Sequence, residues 1–95
     1  MKVVVVAPAQ KEFQQAKEFY EMAQSGLGER FNRHIKKALL RIKASPLTWP
    51  IEKKEIRRYL VHKFPYKILY AVHENTVVVL AFAHQHREPG YWQDR

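Results

Sequence analysis

The stretch from Phe64 to Trp92, FPYKILYAVHENTVVVLAFAHQHREPGYW, restricts more than any other how this chain can fold. From Pro65 to His73, Tyr66, Ile68, Tyr70 and Val72 alternate with Lys67, Leu69 and Ala71, which is the period of two of a β-strand. The next run, Thr76 to Ala83, is apolar after its first residue and opens with β-branched Thr76, Val77, Val78 and Val79. A strand without a polar face belongs in the middle of a sheet that is covered on both sides. Only Glu74 and Asn75 separate the two runs, and Asn tolerates the left-handed backbone of a tight turn, so the pair reads as a hairpin. Beyond Ala83 the character changes: His84, His86, Arg87, Pro89, Tyr91 and Trp92 fall close together.

The remaining elements must supply the covers. Lys2 to Val6 is a short β-branched strand that Pro8 ends, because proline donates nothing to a sheet ladder. From Pro8 onward, Ala9, Phe13, Ala16, Tyr20 and Ala23 recur at helical spacing, and Phe19 and Met22 widen the stripe. Ser25 and Gly26 stop this helix. Leu27, Phe31, Ile35, Ala38, Leu39 and Ile42 then mark a second helix that Ser45 and Pro46 close, so the two form an antiparallel helical hairpin. Leu47 to Lys54 reads as a loop in which Trp49 is a packing plug. Ile56 to Val61 is a strand that sends Ile56, Arg58 and Leu60 to one face and Arg57, Tyr59 and Val61 to the other. The order is β-α-α-β-β-β with a short C-terminal tail, an α+β domain spanning residues 1–95. It implies an antiparallel sheet with the two-helix hairpin on one face. The other face is left apolar and basic, a binding surface that Tyr91 and Trp92 can partly cover by folding back.

A chain of 95 residues buries roughly 65% of its unfolded surface, enough for one core without staples. The absence of cysteine excludes disulfides and thiolate metal sites and fits a reducing cytoplasm. No apolar run approaches the ~20 residues that span a bilayer, and MKVVVV carries no cleavage site, so the expectation is a soluble, untargeted protein without a membrane partner. The net charge of +8 is concentrated in Glu29–Lys43 and in Lys53–Lys67, each with six Lys or Arg against one Glu. Such a field attracts phosphate backbones or an acidic protein. On the second helix, Arg30, Arg33, Lys37 and Arg41 form a basic ridge that reads as solvated surface or partner contact, since no aromatic residues interleave with it.

GLGERF at the start of the second helix, IRRYLVHKFPYKILY in the middle strands and HQHREPGYWQDR at the end resemble, taken together, the RelE/ParE superfamily of toxins from bacterial type II toxin-antitoxin modules, the plasmid-stabilisation type. The resemblance covers nearly the whole chain. It implies a βααβββ toxin that a cognate antitoxin neutralises by wrapping around it in a hetero-oligomer; the free toxin is expected to be a monomer because the helices leave over no continuous apolar stripe. Some members cleave ribosome-bound mRNA; others poison DNA gyrase. The first activity implies a metal-independent endoribonuclease without cofactors. On alignment, Lys67 takes the place of an arginine used by the RNA-cleaving members, and Arg58 stands where they often have another basic residue. With Arg87 these would grip phosphate, His84 would move protons, and Tyr91 matches an aromatic some members use. Glu52 or Glu55 is the alternative base. His84 and His86 could pair on a metal, yet no third ligand is evident. The alternative to cleavage is non-enzymatic inhibition of gyrase, with these residues as contacts, and a third reading is a basic binding module that has lost toxicity.

Overall fold

The computed structural model describes residues 1–88 and 90–95. In chain order its elements are β1 (Lys2–Val5), α1 (Ala7–Ala23), α2 (Leu27–Ala44), β2 (Ile51–Lys53), β3 (Ile56–Leu60), β4 (Tyr66–His73) and β5 (Thr76–His84). Pro8 occupies the first turn of α1, where its missing N–H costs no hydrogen bond. The link to α2 is pinned by Glu21, whose carboxylate accepts from the backbone N–H of Gly26 at 2.9 Å and of Gly28 at 3.0 Å. These donors have no partner within the helix, so one side chain of α1 caps α2. Gly26 takes the left-handed backbone, φ 88°, that turns the chain there.

Among the described residues the strands form one five-stranded sheet in the order β1-β5-β4-β3-β2. The expected β4–β5 hairpin is present, with Glu74 and Asn75 both at positive φ, as a two-residue turn requires. Two features depart from the expected sheet. β1 runs parallel to β5, pairing Val3 with Val77 and Val5 with Val79, so the sheet is mixed and not wholly antiparallel. Alternation of side chains fixes which face a residue occupies and carries nothing about strand direction. Within the stretch expected as a loop, Ile51–Lys53 adds a strand against β3, too short to show a period. A further irregularity lies inside β5: Leu69 pairs with Ala81 but Tyr70 pairs with Val79, which makes Leu80 an inserted bulge residue.

Both helices lie on one face. Phe31, Ile35 and Ile42 of α2 pack with Ile68, Tyr70, Val77 and Val79 of the sheet. The Phe31 ring is 5.9 Å from Phe13, 5.1 Å from Tyr20 and 5.1 Å from Phe64, an aromatic cluster joining α1, α2 and the β3–β4 link. Tyr70 is fully buried; its hydroxyl donates to the Pro46 carbonyl at 2.6 Å, and burial raises its pKa to about 12. Trp49 packs edge-on to Tyr59 at 4.7 Å, while its carbonyl accepts from Arg57 Nη1 at 2.8 Å. Phe19 and Met22 do not widen the buried stripe of α1: they are 67% and 89% exposed, because the sheet and α2 together cover only the arc centred on Ala9, Phe13 and Ala16.

The opposite face carries a second apolar cluster. Leu69, Ala81 and Ala83 are buried there beneath Trp92, with Ile56, Leu80 and Tyr91 around them. The tail therefore roofs part of the face that the helices leave open. No helix among the described residues is long and apolar enough to cross a membrane.

Gly28 reports on the tightness of the helix hairpin, since a Cβ there would lie 2.7 Å from the Lys17 carbonyl oxygen and 2.9 Å from Glu21 Cβ. Backbone cannot yield as a side chain can. Gly28→Ala is expected to lower stability by about 1–3 kcal/mol, read as a lower urea midpoint at unchanged slope.

Candidate functional site

The β3–β4 register pairs Arg58 with Leu69 and Leu60 with Lys67, so Arg58 and Lys67 leave the tail-covered face as diagonal neighbours. Glu52 of β2 reaches between them. Lys67 Nζ donates to Glu52 Oε2 at 2.8 Å, and Arg58 Nη1 stands 3.6 Å from Glu52 Oε1 while donating to the Ile51 carbonyl at 3.0 Å. Lys67 and Glu52 are only 16% and 17% exposed, so this contact is poorly screened. One carboxylate thus offsets one of the two cations and occupies the space between them. Glu55 instead lies beyond β2, lining with Ile56, Leu80 and Trp92 a concavity of about 480 Å³ beside the tail.

His84 does not join this group. It pairs across the hairpin with Tyr66, on whose ring it packs edge-on at 5.5 Å. Lys67 pairs with Ala83, one residue earlier, and adjacent residues of a strand face opposite ways. His84 therefore points to the helix side of the sheet. Its Nδ1 accepts from the His86 backbone N–H at 3.2 Å, and the two rings are 5.4 Å apart. Among the described residues no third His, Asp or Glu is grouped with them at metal-binding distance.

Arg87 and Tyr91 belong to the tail. The Arg87 guanidinium stacks over the Tyr91 ring, 4.0 Å from its centre. Tyr91 donates its hydroxyl proton to Glu12 Oε2 at 2.7 Å; burial, then the bond to that carboxylate, pushes its pKa far up. Glu12 is the hub of this corner. Its Oε1 also accepts from the Phe82 backbone N–H at 3.1 Å and from Arg95 Nη1 at 2.6 Å, and Oε2 accepts from Arg95 Nη2 at 3.1 Å. Arg95 Nη1 donates in addition to the Leu80 carbonyl at 3.1 Å. The hydrogen bond to Glu12 raises the pKa of Arg95. A two-pronged guanidinium–carboxylate contact thus clamps the tail to α1 and to the part of β5 that β1 does not reach.

Sequence pattern does not single out Glu12 or Arg95. The signal available was the position of Glu12, three residues after Ala9 and beside Phe13, where a charge on a buried stripe requires a partner.

Glu12→Gln preserves shape but removes the charge that holds Arg95. The expected loss is about 1–3 kcal/mol, with faster hydrogen exchange in residues 90–95 and a red-shifted Trp92 emission while α2 stays protected. An unchanged tail signal would show that the clamp is not what holds it.

The chain matches, over residues 3–89, the family model described as the ParE toxin of the type II toxin-antitoxin system parDE. No curated protein sequence matches it. Among solved structures it is similar to the chromosomal ParDE system of P. aeruginosa, with 12% identity, TM-score 0.65 and coverage of 88% of this chain and 95% of that one. It is similar also to the isolated E. coli RelE toxin, with 17% identity, TM-score 0.66 and coverage of 98% and 93%. At such identities the structural likeness speaks to fold alone, and the fold is that of both toxins. The match across nearly the whole length makes the chain a member of the ParE toxin family of type II toxin-antitoxin systems, a family whose toxins have an antitoxin partner.

Proposed function

We propose that the protein arrests growth by binding DNA gyrase without covalent chemistry, in the cytoplasm, and that its cognate antitoxin holds it inactive. The observation that carries this reading is the occupation of the Arg58–Lys67 pair by Glu52. A metal-independent ribonuclease needs cations free to meet the charge that gathers on phosphorus, with a proton carrier on the same side. Here a carboxylate fills the cationic notch, and His84 lies on the other side of the sheet. The family match to ParE supports the same reading. On it, Arg58, Lys67, Arg87 and Tyr91 are contact and structural residues.

A second reading, cleavage of ribosome-bound mRNA, draws support from one fact: Arg58 and Lys67 do share a face, with Glu52 at 2.8 Å from Lys67 as the available base. On this reading RNA phosphate would displace Glu52 from the two cations.

The two readings separate in one pair of assays. With purified toxin we expect loss of gyrase supercoiling at near-stoichiometric ratios, and full-length transcripts in arrested cells. Lys67→Ala, which removes the cation that Glu52 meets, should leave transcripts as intact as the wild type does. Codon-positioned cuts by the wild type that vanish in both Glu52→Gln and Lys67→Ala, with supercoiling unaffected, would overturn the gyrase reading in favour of the ribonuclease.

A further inference from the structure

A second basic cavity lies on the helix side of the sheet, apart from the Arg58–Glu52–Lys67 group. His34, Lys37 and Arg41 recur on α2 at spacings of three and four, which puts them on one helix face. With Ala38, Tyr59 and His62 they line a cavity of about 100 Å³. Arg41 Nη1 donates to the Tyr59 hydroxyl oxygen at 3.2 Å, which leaves the Tyr59 proton free for another acceptor. His34 Nδ1 is held 2.9 Å from the Arg30 carbonyl oxygen, and the His34 and His62 rings lie 6.4 Å apart and nearly parallel, 26° between planes.

No carboxylate lines this cavity, and among the described residues none of His34, Lys37, Arg41 or His62 forms an ion pair with a carboxylate. Lys and Arg groups that converge without a counter-charge repel one another, and an oxyanion that enters relieves this while accepting several charge-assisted hydrogen bonds at once. The volume admits a tetrahedral oxyanion and little more. Arg41, Tyr59 and His62 also border a groove of about 660 Å³ that continues past Trp49 and Lys63 and reaches Arg58 of β3, again without a carboxylate among the described residues. That groove has room for whatever the anion is attached to.

We infer that the His34–Lys37–Arg41–Tyr59–His62 cavity binds a single phosphate group, with its substituent lying in the adjoining groove. Free phosphate and the backbone phosphate of a nucleic acid share this chemistry. The site stands whichever target the toxin has.

The test is a titration of the purified toxin with inorganic phosphate and, separately, with a short single-stranded RNA, followed by NMR at the ring protons of His34 and His62. Saturable shifts with phosphate support the site, and shifts with RNA that phosphate reverses support it with a polymer as the source. Lys37→Gln with Arg41→Gln is expected to weaken binding at least about tenfold, while Arg33→Gln with Lys36→Gln, an equal loss of charge on the same helix, leaves it within about twofold. Absence of saturable shifts with both ligands would overturn the inference. So would equal weakening by the two double variants, which would reduce the effect to the general field of the helix.

Discussion

Leu69, Ala81 and Ala83 are as fully withdrawn from water as Ile68, Val77 and Val79 on the reverse side of the same two strands. A hairpin apolar on both faces needs two covers, and the rest of the chain is disposed to provide them. α1 and α2 form the larger one, interlocked by the Gly28 approach and by Glu21. The tail forms the smaller, resting on Trp92 and on the hydrogen bonds gathered by Glu12. Each fully buried large apolar side chain contributes about 1.5–3 kcal/mol, so the helix face holds far more of the stability. The tail is the cover with the fewer contacts, and local opening is expected to begin there.

Charge is divided between the two sides in a way that composition hides. On the tail side the inward-facing cations of the sheet are met by Glu52, and Arg95 is met by Glu12. On the helix side, His34, Lys37, Arg41 and His62 have no such partner among the described residues. The net +8 of the chain is therefore neither spread evenly nor concentrated on the face that the resemblance singles out. Two of the residues proposed to grip an anion, Lys37 and Arg41, belong to the ridge that pattern alone assigns to solvent or a partner.

Much of this architecture is legible in the sequence because it follows from periodicity. The β4–β5 turn, the two helical stripes and the separation of Arg57 from Arg58 each depend on contacts within a few residues. The direction of β1, the added strand β2 and the Glu12–Arg95 clamp do not, since each joins positions far apart in the chain by geometry that no local pattern encodes. The same holds for Glu52. The sequence names it only together with Glu55 as an alternative base, and it is the pairing of β2 with β3 that carries it between Arg58 and Lys67.

The grouping of His84 with Lys67 has a more specific history. Counted outward from the two-residue turn in an unbroken ladder, Lys67 would lie opposite Phe82, and His84 would then share its face. Leu80 adds one step to β5, moves the partner of Lys67 to Ala83 and turns His84 away. Strand length at this point thus acts as a chemical variable: a relative lacking one residue here could retain every side chain discussed above and yet present imidazole beside ammonium. Alignments that treat a single gap near this position as neutral would merge proteins whose working surfaces are mirror assignments of the same letters.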